Sequence, residues 1–241
     1  MLNFKKKISI VILCYKAEEK ISEFINCIIK KGDERHLKYE IILVANYWEG
    51  EIDNSPSLIK KFASDKKCCK VISFPKKGAM GWDMRSGLDI ANGDVLIVID
   101  GDSQFDPNLV FWVYDKLESD NLDLCKTYRV DREDGFYRKF ISNIFNFIFR
   151  ILFPSKDFKK DYRDVNSKPK AFTRSAYKKM NLVSNDWFID AEIMIQANYL
   201  KLRIGSFPIC FYKSSRESFV KPIAIIEFIK NLAIHKILKK N

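Results

Sequence analysis

Short runs of β-branched and other apolar residues alternate with helix-like segments along the first half of the chain. The runs are rich in Val and Ile, a composition typical of strands that are buried on both faces. The predicted strands are residues 8–14, 39–45, 70–74, 94–99 and 122–128. The predicted helices are residues 17–31, 57–63 and 79–91, with one more that has Pro107 in its first turn. This alternation predicts a mostly parallel α/β sheet covered by helices on both faces, with ligands at the carboxyl ends of its strands.

The second half of the chain has a different pattern. Residues 140–153 form a helix candidate that is apolar nearly all round, so it is either buried or lipid-facing. A charged loop at 156–170, a helix at 187–200 and a strand at 203–212 follow. Residues 222–240 form a basic amphipathic helix candidate. We therefore divide the chain into a main domain at 1–218 and a C-terminal helix at 219–241.

The charge balance indicates an anionic partner. The chain has 241 residues, with 42 Lys and Arg against 31 Asp and Glu, a formal net charge of +11. Nucleic acid, a lipid surface and a phosphorylated small molecule all satisfy that excess. The six cysteines show no metal-ligand spacing and are expected to be reduced, as in cytosolic proteins. The sequence shows no signal peptide and no apolar run near the ~20 residues that a spanning helix requires.

An acidic cluster follows the fourth predicted strand. Asp100 and Asp102 are separated by one residue, so in an extended segment both carboxylates point to the same side, and Gln104 adds an amide oxygen. Oxygen ligands of this kind suit Mg²⁺ or Mn²⁺, which commonly also contact substrate phosphates. The alternative is an Asp-Gly turn in which Asp106 caps the next helix. The strand that leads directly into the cluster favours a metal site.

Four segments together resemble family 2 glycosyltransferases of the GT-A fold, a Rossmann-like α/β architecture. They are residues 10–19 (IVILCYKAEE), 77–88 (KGAMGWDMRSGL), 92–94 (NGD) and 100–104 (DGDSQ). The resemblance extends to about residue 218 and is strongest to polyprenyl-phosphate sugar transferases of the dolichol-phosphate mannose synthase group. It implies an inverting, metal-dependent transfer of a sugar from a nucleoside-diphosphate sugar to a lipid phosphate.

The same resemblance assigns roles to individual residues. Asp100, Asp102 and Gln104 would hold Mg²⁺ or Mn²⁺ against the donor diphosphate, and Asp100 and Asp102 are counted as catalytic. The donor-binding residues would be Cys14, Tyr15, Glu18, Asn46, Lys77, Gly78, Arg85, Asp100 and Gly101.

Three basic residues are candidates for the acceptor phosphate. Arg129 and Arg138 match arginines that bind phosphate in the polyprenyl group, and guanidinium groups bind phosphate bidentately. Lys170 could meet the donor diphosphate or the acceptor phosphate. It lies in residues 164–172, which resemble a further block of the family but depart from its usual "Thr-Ser-Gly-Phe" form. Asp190 and Glu192 resemble the family's "Asp-x-Glu", which serves acceptor binding or base catalysis; the alternative is an acidic pair favoured by a helix N-terminus.

One segment departs from the family pattern. After the second strand, family members usually carry "Asp-Asp-Gly-Ser", whereas residues 46–51 read NYWEGE. Asn46 or Glu49 could replace the acid, and Tyr47 or Trp48 could stack on a base. This leaves open whether the nucleotide is UDP or GDP, and it keeps a catalytically silent binding module as an alternative.

The apolar and basic C-terminal half suggests a lipid surface. The helix at 222–240 would lie in the membrane interface, or alternatively cover the sheet. We expect a cytoplasmic protein, peripheral on the inner face of the membrane, with a separate membrane protein as a possible partner. A transferase acting on a surface polysaccharide or lipopolysaccharide is the other enzymatic hypothesis. Nucleic-acid binding is disfavoured because the acidic residues cluster where the strands end.

Overall fold

The computed structural model describes residues 7–17, 19–102, 104–132, 147–149, 151, 153 and 163–211. Strands and helices alternate through most of this range. In chain order they are β1 (Ile8–Leu13), α1 (Ile21–Glu34), β2 (Tyr39–Val44), α2 (Ser55–Ala63), β3 (Cys69–Ile72), α3 (Met80–Ile90), β4 (Val95–Asp100), α4 (Leu109–Ser119), β5 (Leu124–Arg132), β6 (Lys170–Thr173), α5 (Arg174–Lys179), α6 (Ile189–Tyr199) and β7 (Ile204–Phe211).

The described strands form one sheet in the order β3-β2-β1-β4-β6-β5-β7. Adjacent strands from β3 to β4 are parallel, and β5 and β7 are parallel to each other. β6 is antiparallel to both of its neighbours, and its Lys170 lies opposite Val98 of β4. An antiparallel strand begins at the edge where its parallel neighbours end. β6 therefore brings the segment before it to the carboxyl edge of the sheet, beside the end of β4.

Alternation along the strands builds a core on each face of the sheet. Ile10 and Ile12 pack with α1 and α4, whereas Val11 and Leu13 pack with α3 and α6. All residues of β1 are 9% exposed or less, as expected for a strand covered on both sides. The predicted mostly parallel sheet with helices on both faces is confirmed.

Two elements in the second half of the chain were absent from the sequence prediction. β6 and α5 occupy residues 170–179, where the sequence suggested the end of a charged loop and nothing further. β6 has only four residues and begins with a lysine, so it carries little of the apolar signal that reveals a buried strand. Other elements agree with the predicted positions to within a few residues.

Several predicted features lie outside the described residues. These are the helix at 222–240, the domain boundary at 218, and most of the apolar helix at 140–153. Within that last segment, residues 147–149 and 151 are helical. Phe149 and Phe153 are buried with ring centroids 5.2 Å apart, whereas Phe147 and Ile151 are largely exposed. Within the described ranges, no helix combines the length and apolar character needed to span a membrane.

Candidate functional site

Asp100 ends β4 at the carboxyl edge of the sheet. It lies opposite Leu13 of β1, and the next backbone N–H, that of Gly101, donates to the Leu13 carbonyl at 2.9 Å. A Cβ at Gly101 would meet Ile21 Cδ1 at 2.6 Å, so a glycine allows this close approach to α1. The Asp100 side chain keeps 29% exposure while every other residue of β4 is buried. Its carboxylate therefore lies at the boundary between the core and the open edge.

The segment after Asp100 supplies further oxygen ligands. Asp102 is half-buried, and its Oδ1 accepts from the backbone N–H of Gln104 at 3.1 Å. Among the described residues, no group of three or more His, Cys, Asp or Glu side chains could hold a metal by itself. Mg²⁺ in phosphate-transfer sites is commonly held by one or two carboxylates, with substrate phosphates and water completing its shell. The oxygens of Asp100, Asp102 and Gln104 fit a cation of that kind.

A buried ion cluster stands directly behind Asp100. Lys168 Nζ lies 2.9 Å from Asp190 Oδ2 and 3.6 Å from Asp100 Oδ2. Lys170 Nζ lies 2.6 Å from the other Asp190 oxygen and donates to the Ser167 carbonyl at 2.7 Å. The side chains of Lys168, Lys170 and Asp190 are 3%, 0% and 1% exposed, so these charges interact with little screening by water. We call Lys168, Lys170 and Asp190 the buried clamp.

Burial and the neighbouring charges together determine the protonation states of the three clamp residues. Burial opposes the charged form of Lys168, but the carboxylates of Asp100 and Asp190 hold its pKa above the ordinary value. Burial opposes the Asp190 carboxylate too, and the two lysines nevertheless hold its pKa below the ordinary value. Burial lowers the pKa of Lys170, which has one carboxylate partner and a like-charged neighbour. Asp190 is thus an ionised group with both oxygens engaged.

Glu192, two residues further along α6, has a separate set of partners. Its carboxylate is fully buried and accepts from the backbone N–H of Val183 at 3.0 Å and of Ser184 at 2.9 Å. Gln196 Nε2 donates to it at 3.2 Å. Both acids lie in the first turn of α6, where the helix dipole favours negative charge. Asp190 and Glu192 each bind groups of the protein itself.

The loop held by Glu192 packs tightly on the start of α3. The N–H groups of Gly81 and Trp82 donate to the carbonyls of Asp186 and Asn185 at 3.0 and 3.1 Å. A Cβ at Gly81 would lie 2.5 Å from the Ser184 carbonyl oxygen, and one at Gly78 would lie 2.5 Å from that of Asn185. Gly78, predicted for donor binding, therefore makes a close backbone approach to this loop.

Two other basic candidates for donor binding also lie near α3. Arg85 Nη1 donates to the Val183 carbonyl at 2.8 Å and to Asn185 Oδ1 at 2.7 Å, so its guanidinium already fastens the same loop. Lys77 is exposed, with its ammonium 5.9 Å above the Trp82 ring centroid. Of the two, Lys77 presents its charge to solvent.

Arg129, predicted to bind the acceptor phosphate, forms a bidentate pair with Asp164. Its Nε and Nη2 each lie 2.7 Å from an Asp164 oxygen, and its backbone N–H donates to the same carboxylate at 3.1 Å. Asp164 is buried, which opposes its charge, but the Arg129 guanidinium holds the pKa of that carboxyl far below its ordinary range. Arg138, the second candidate, and Glu18 of the donor set lie outside the described residues.

The departure from the family pattern after β2 has a defined structure. Asn46 is fully buried; its Nδ2 donates to Asp83 Oδ1 at 3.0 Å, and its Oδ1 accepts from the Phe74 N–H at 2.9 Å. Lys76 pairs with the second Asp83 oxygen. Burial raises the pKa of Asp83, although Lys76 and Asn46 favour its charged form. Asn46 therefore links β2 to the loop after β3 and to α3.

Residues after β1 and β2 meet next to Asn46. Tyr15 donates from its hydroxyl to Glu51 Oε2 at 2.6 Å, and Lys16 Nζ lies 2.5 Å from Glu51 Oε1. The Lys76 ammonium lies 4.1 Å from the Tyr15 ring centroid, a cation–π contact. Cys14 faces away from this group: its thiol is fully buried and contacts the Ile12 carbonyl, and burial raises its pKa strongly. The Cys14 thiol is therefore not part of the group at the carboxyl edge.

The structure thus adds residues that the motifs did not reveal. They are Lys168, Asp164, Asp83 and Lys76, at or behind the carboxyl edge. Ion pairs join Lys168 to Asp100 and Asp190, and Asp164 to Arg129. Asp83 accepts a hydrogen bond from Asn46, and the Lys76 ammonium contacts the Tyr15 ring. The one sequence signal for Lys168 is its place beside Lys170 in residues 164–172, a segment already compared with the family. Asp83 and Asp164 also lie in segments compared with the family, 77–88 and 164–172, but neither was assigned a role there.

Sequence comparison places this chain among sugar transferases. An undecaprenyl-phosphate 4-deoxy-4-formamido-L-arabinose transferase of Proteus mirabilis (strain HI4320) is 30% identical over 150 residues, 61% of this chain and 44% of that protein. The protein of the same name in Serratia proteamaculans (strain 568) is 27% identical over 142 residues, 58% and 42% of the two chains. The match covers less than half the length of these curated relatives.

Solved structures share the fold at low sequence identity. Glucosyl-3-phosphoglycerate synthase of Mycobacterium tuberculosis, solved with Mn²⁺, UDP and glucosyl-3-phosphoglycerate, has a TM-score of 0.70 at 16% identity, covering 97% of this chain and 79% of that one. Mannosyl-3-phosphoglycerate synthase of Rubrobacter xylanophilus has a TM-score of 0.72 at 15% identity, covering 98% and 74%. The family model for glycosyl transferase family 2 matches residues 9–182, most of the chain. With its sheet and its Asp100-x-Asp102 segment at the carboxyl edge, this chain belongs to glycosyl transferase family 2.

Proposed function

We propose that this protein is a cation-dependent, inverting glycosyltransferase that moves a sugar from a nucleoside-diphosphate sugar to the phosphate of a polyprenyl lipid. The observation that carries the proposal is the position of Asp100 and Asp102. They stand at the carboxyl end of β4, the partly open edge where α/β sheets bind ligands. The names of the curated relatives and the Mn²⁺ and UDP bound by a solved neighbour support the same reaction class.

Three side chains of this edge would hold the cation. Asp100 and Asp102 supply carboxylate oxygens and Gln104 an amide oxygen, a set suited to Mg²⁺ or Mn²⁺. When bound, the cation supplies positive charge that stabilises the departing nucleoside diphosphate. Lys168 holds Oδ2 of the Asp100 carboxylate in place, so this ligand would need little reorganisation when a cation binds.

The state of the two α6 acids favours a phosphate acceptor. A sugar hydroxyl needs a general base to accept its proton, and such a base must reach that proton by hydrogen bonding. Both oxygens of Asp190 are bound to lysines, and the Glu192 carboxylate is bound to backbone N–H groups. A lipid phosphate is already ionised near neutral pH and attacks without such a base. We therefore assign Asp190 and Glu192 to holding the site rather than to proton transfer.

The acceptor phosphate would be met by basic side chains at the same edge. Arg129 is oriented by Asp164 and is 14% exposed, which makes it a preformed phosphate contact that shares its charge with Asp164. Arg138 completes the proposal from outside the described residues. Lys170 does not serve this role, since it is fully buried against Asp190.

A silent binding module is the second candidate function. It is favoured by Asn46, which stands in the segment where the family usually carries acids for base and ribose recognition. Both polar ends of Asn46 are used within the protein. Nucleotide binding without turnover would be the result that supports this alternative.

The central experiment is a donor screen. UDP- and GDP-sugars are offered with Mn²⁺ or Mg²⁺ and a short polyprenyl phosphate, and lipid-linked sugar is measured. We expect Asp102→Asn to reduce turnover roughly 100-fold or more, because one charged ligand of the cation is lost. Asp106→Asn is the matched control: it lies in the same acidic segment, but its Oδ1 accepts from the Asn108 N–H at 2.8 Å. Full turnover in Asp102→Asn would refute the metal assignment.

The membrane part of the proposal rests on the C-terminal sequence. We propose that residues 222–240 bind an anionic lipid surface on the cytoplasmic side and bring the edge of the sheet to the acceptor, alone or beside a membrane protein. Deleting residues 222–241 should remove binding to anionic liposomes in a sedimentation assay. Binding that survives the deletion would place the lipid contact elsewhere.

A further inference from the structure

One contact between Lys168 and Asp100 links the buried clamp to the proposed cation site. Lys168 Nζ lies 3.6 Å from Asp100 Oδ2, the carboxylate at the end of β4. Lys168 is held there by Asp190 at 2.9 Å and contacts Met80 Sδ at 3.1 Å, and its side chain is 3% exposed. A lysine in this position cannot swing into solvent without breaking a buried ion pair. Its positive charge is a fixed part of the site.

The clamp cancels most of the negative charge that a cation would find. Asp100, Asp102 and Asp190 contribute three carboxylates, and Lys168 and Lys170 face them with two ammonium groups. These five side chains together carry one net negative charge. The Asp190 carboxylate has both oxygens bound to lysines. A divalent cation that arrived alone would leave the group positive.

The neighbouring charged groups add no net negative charge to these five side chains. Arg129 and Asp164 form a neutral pair, and Lys126 is buried with its ammonium on the carbonyls of Thr127 and Asp164 at 3.2 and 3.4 Å. A divalent cation would therefore leave net positive charge beside Asp100, and the diphosphate of a sugar donor would offset it.

We propose that Lys168 acts as an internal counter-cation for Asp100, so that a divalent cation binds firmly only together with the donor diphosphate. This inference rests on the proposed cation site and adds a positioning residue to it. Lys168 touches neither sugar nor lipid in this scheme. It sets the charge that the cation meets, and Asp190 keeps it in place.

Thermodynamic coupling gives a test on the unaltered protein. Mn²⁺ affinity is measured by calorimetric titration with and without saturating UDP, using the full chain. We expect UDP to strengthen Mn²⁺ binding by at least about tenfold, and Mn²⁺ to strengthen UDP binding by the same factor. Equal Mn²⁺ affinity in the two titrations would overturn the inference without any variant.

Substitution of Lys168 then assigns the coupling to this side chain. In Lys168→Met the unbranched stem is kept and the charge is lost, so Mn²⁺ alone should bind about tenfold more tightly and the gain from UDP should shrink by the same factor. Lys168→Arg keeps the charge and should behave like the unaltered protein. Lys116→Met removes an equal charge from an exposed pair on α4 and should change neither affinity.

The outcomes separate this inference from the proposed function. If Asp102→Asn leaves Mn²⁺ binding intact, the cation site itself is wrong. If Asp102→Asn abolishes binding but Lys168→Met binds Mn²⁺ as the unaltered protein does, only the role of Lys168 is wrong. Should Lys168→Met fail to fold, equal Mn²⁺ affinity with and without UDP in the unaltered protein still overturns the inference.

Discussion

A carboxylate paired with two lysines occurs at each edge of the sheet, and the two clusters differ in their access to water. At the amino edge, Glu40 pairs with Lys70 at 2.8 Å and Lys7 at 3.5 Å, and these lysine side chains are 47% and 41% exposed. At the carboxyl edge, Asp190 pairs with Lys168 and Lys170, which are almost fully buried. Both carboxylates are therefore buried, but the lysines reach solvent at the amino edge and are enclosed by protein at the carboxyl edge.

The amino-edge cluster accepts hydrogen bonds from backbone and side-chain donors of neighbouring segments. Glu40 Oε1 accepts from Ser9 Oγ at 2.6 Å and from the Asn92 N–H at 2.7 Å, while the Ser9 hydroxyl oxygen accepts from the Gly93 N–H at 2.7 Å. Its lysines can move and exchange with water, so their pairing is weakly constrained. The clamp at the carboxyl edge cannot relax in this way. The lysines of the clamp are therefore fixed in position, whereas the lysines that pair with Glu40 are not.

The largest expected effect comes from breaking the clamp. Asp190→Asn removes the carboxylate between two buried ammonium groups and leaves Lys168 with Asp100 alone. We expect it to lower the free energy of unfolding by about 3–5 kcal/mol in a denaturant titration. Asp120→Asn, on an exposed pair with Lys116, is the control and should leave stability unchanged. Adding Lys170→Met to Asp190→Asn should recover part of the loss. A small effect of Asp190→Asn would show that water reaches the clamp.

A smaller effect is expected at Glu192. Glu192→Ala leaves the N–H groups of Val183 and Ser184 without their acceptor, at a cost of about 1–3 kcal/mol. Hydrogen exchange at these two amides should accelerate, because the loop that packs on Gly81 loses its anchor. Tyr199→Ala, on the exposed surface of the same helix, should leave both amides protected. Unchanged exchange in Glu192→Ala would mean that Arg85 and the backbone hydrogen bonds from Gly81 and Trp82 are enough to hold the loop.

The smallest expected effect is at the amino edge, and it depends on pH. Burial opposes the charge of Glu40, but Lys70, Ser9 and the Asn92 N–H lower its pKa to about 2 from 4.5. Its contribution is therefore complete above pH 4.5 and is lost as the pH falls toward 2. We expect Glu40→Gln to cost about 1–2 kcal/mol at pH 7, because the exposed lysines are screened by water.

The measurement for Glu40 is the difference in unfolding free energy between the two proteins at several pH values. That difference should be constant from pH 7 to pH 5 and smaller at pH 3. A difference that is already gone at pH 5 would contradict the lowered pKa. Added salt should reduce the difference as well, whereas the effect of Asp190→Asn should respond less to salt.

Much of the fold and the centre of the site could be read from local sequence. The apolar runs of β1, β2 and β4 admit few other interpretations, and their alternation with helices leads to a parallel sheet. That topology alone places Asp100 and Asp102 at the binding edge. β6 could not be read, because Lys170 is a charged residue in a buried position and its partner Asp190 lies 20 residues away.

Side-chain partners explain the remaining differences between expectation and structure. Asn46, Arg85 and Arg129 all lie near the carboxyl edge, and each is bonded to Asp83, Asn185 or Asp164. A motif fixes where a residue stands on its strand or helix, but not which distant group reaches it. Pairings between residues far apart in the chain depend on how loops of different length return to the edge.

The sequence by itself determined the family, the direction of most strands and the position of the Asp100-x-Asp102 segment. The strands and their direction follow from local periodicity, since hydrophobic burial acts on every short segment of the chain. The family follows from the resemblance of four segments to its motifs. The tertiary structure alone decided that Lys168 and Asp190 stand behind Asp100 and that Glu192 holds a loop. Buried charges must be paired, and only the folded chain shows which opposite charge is close enough to pair with them.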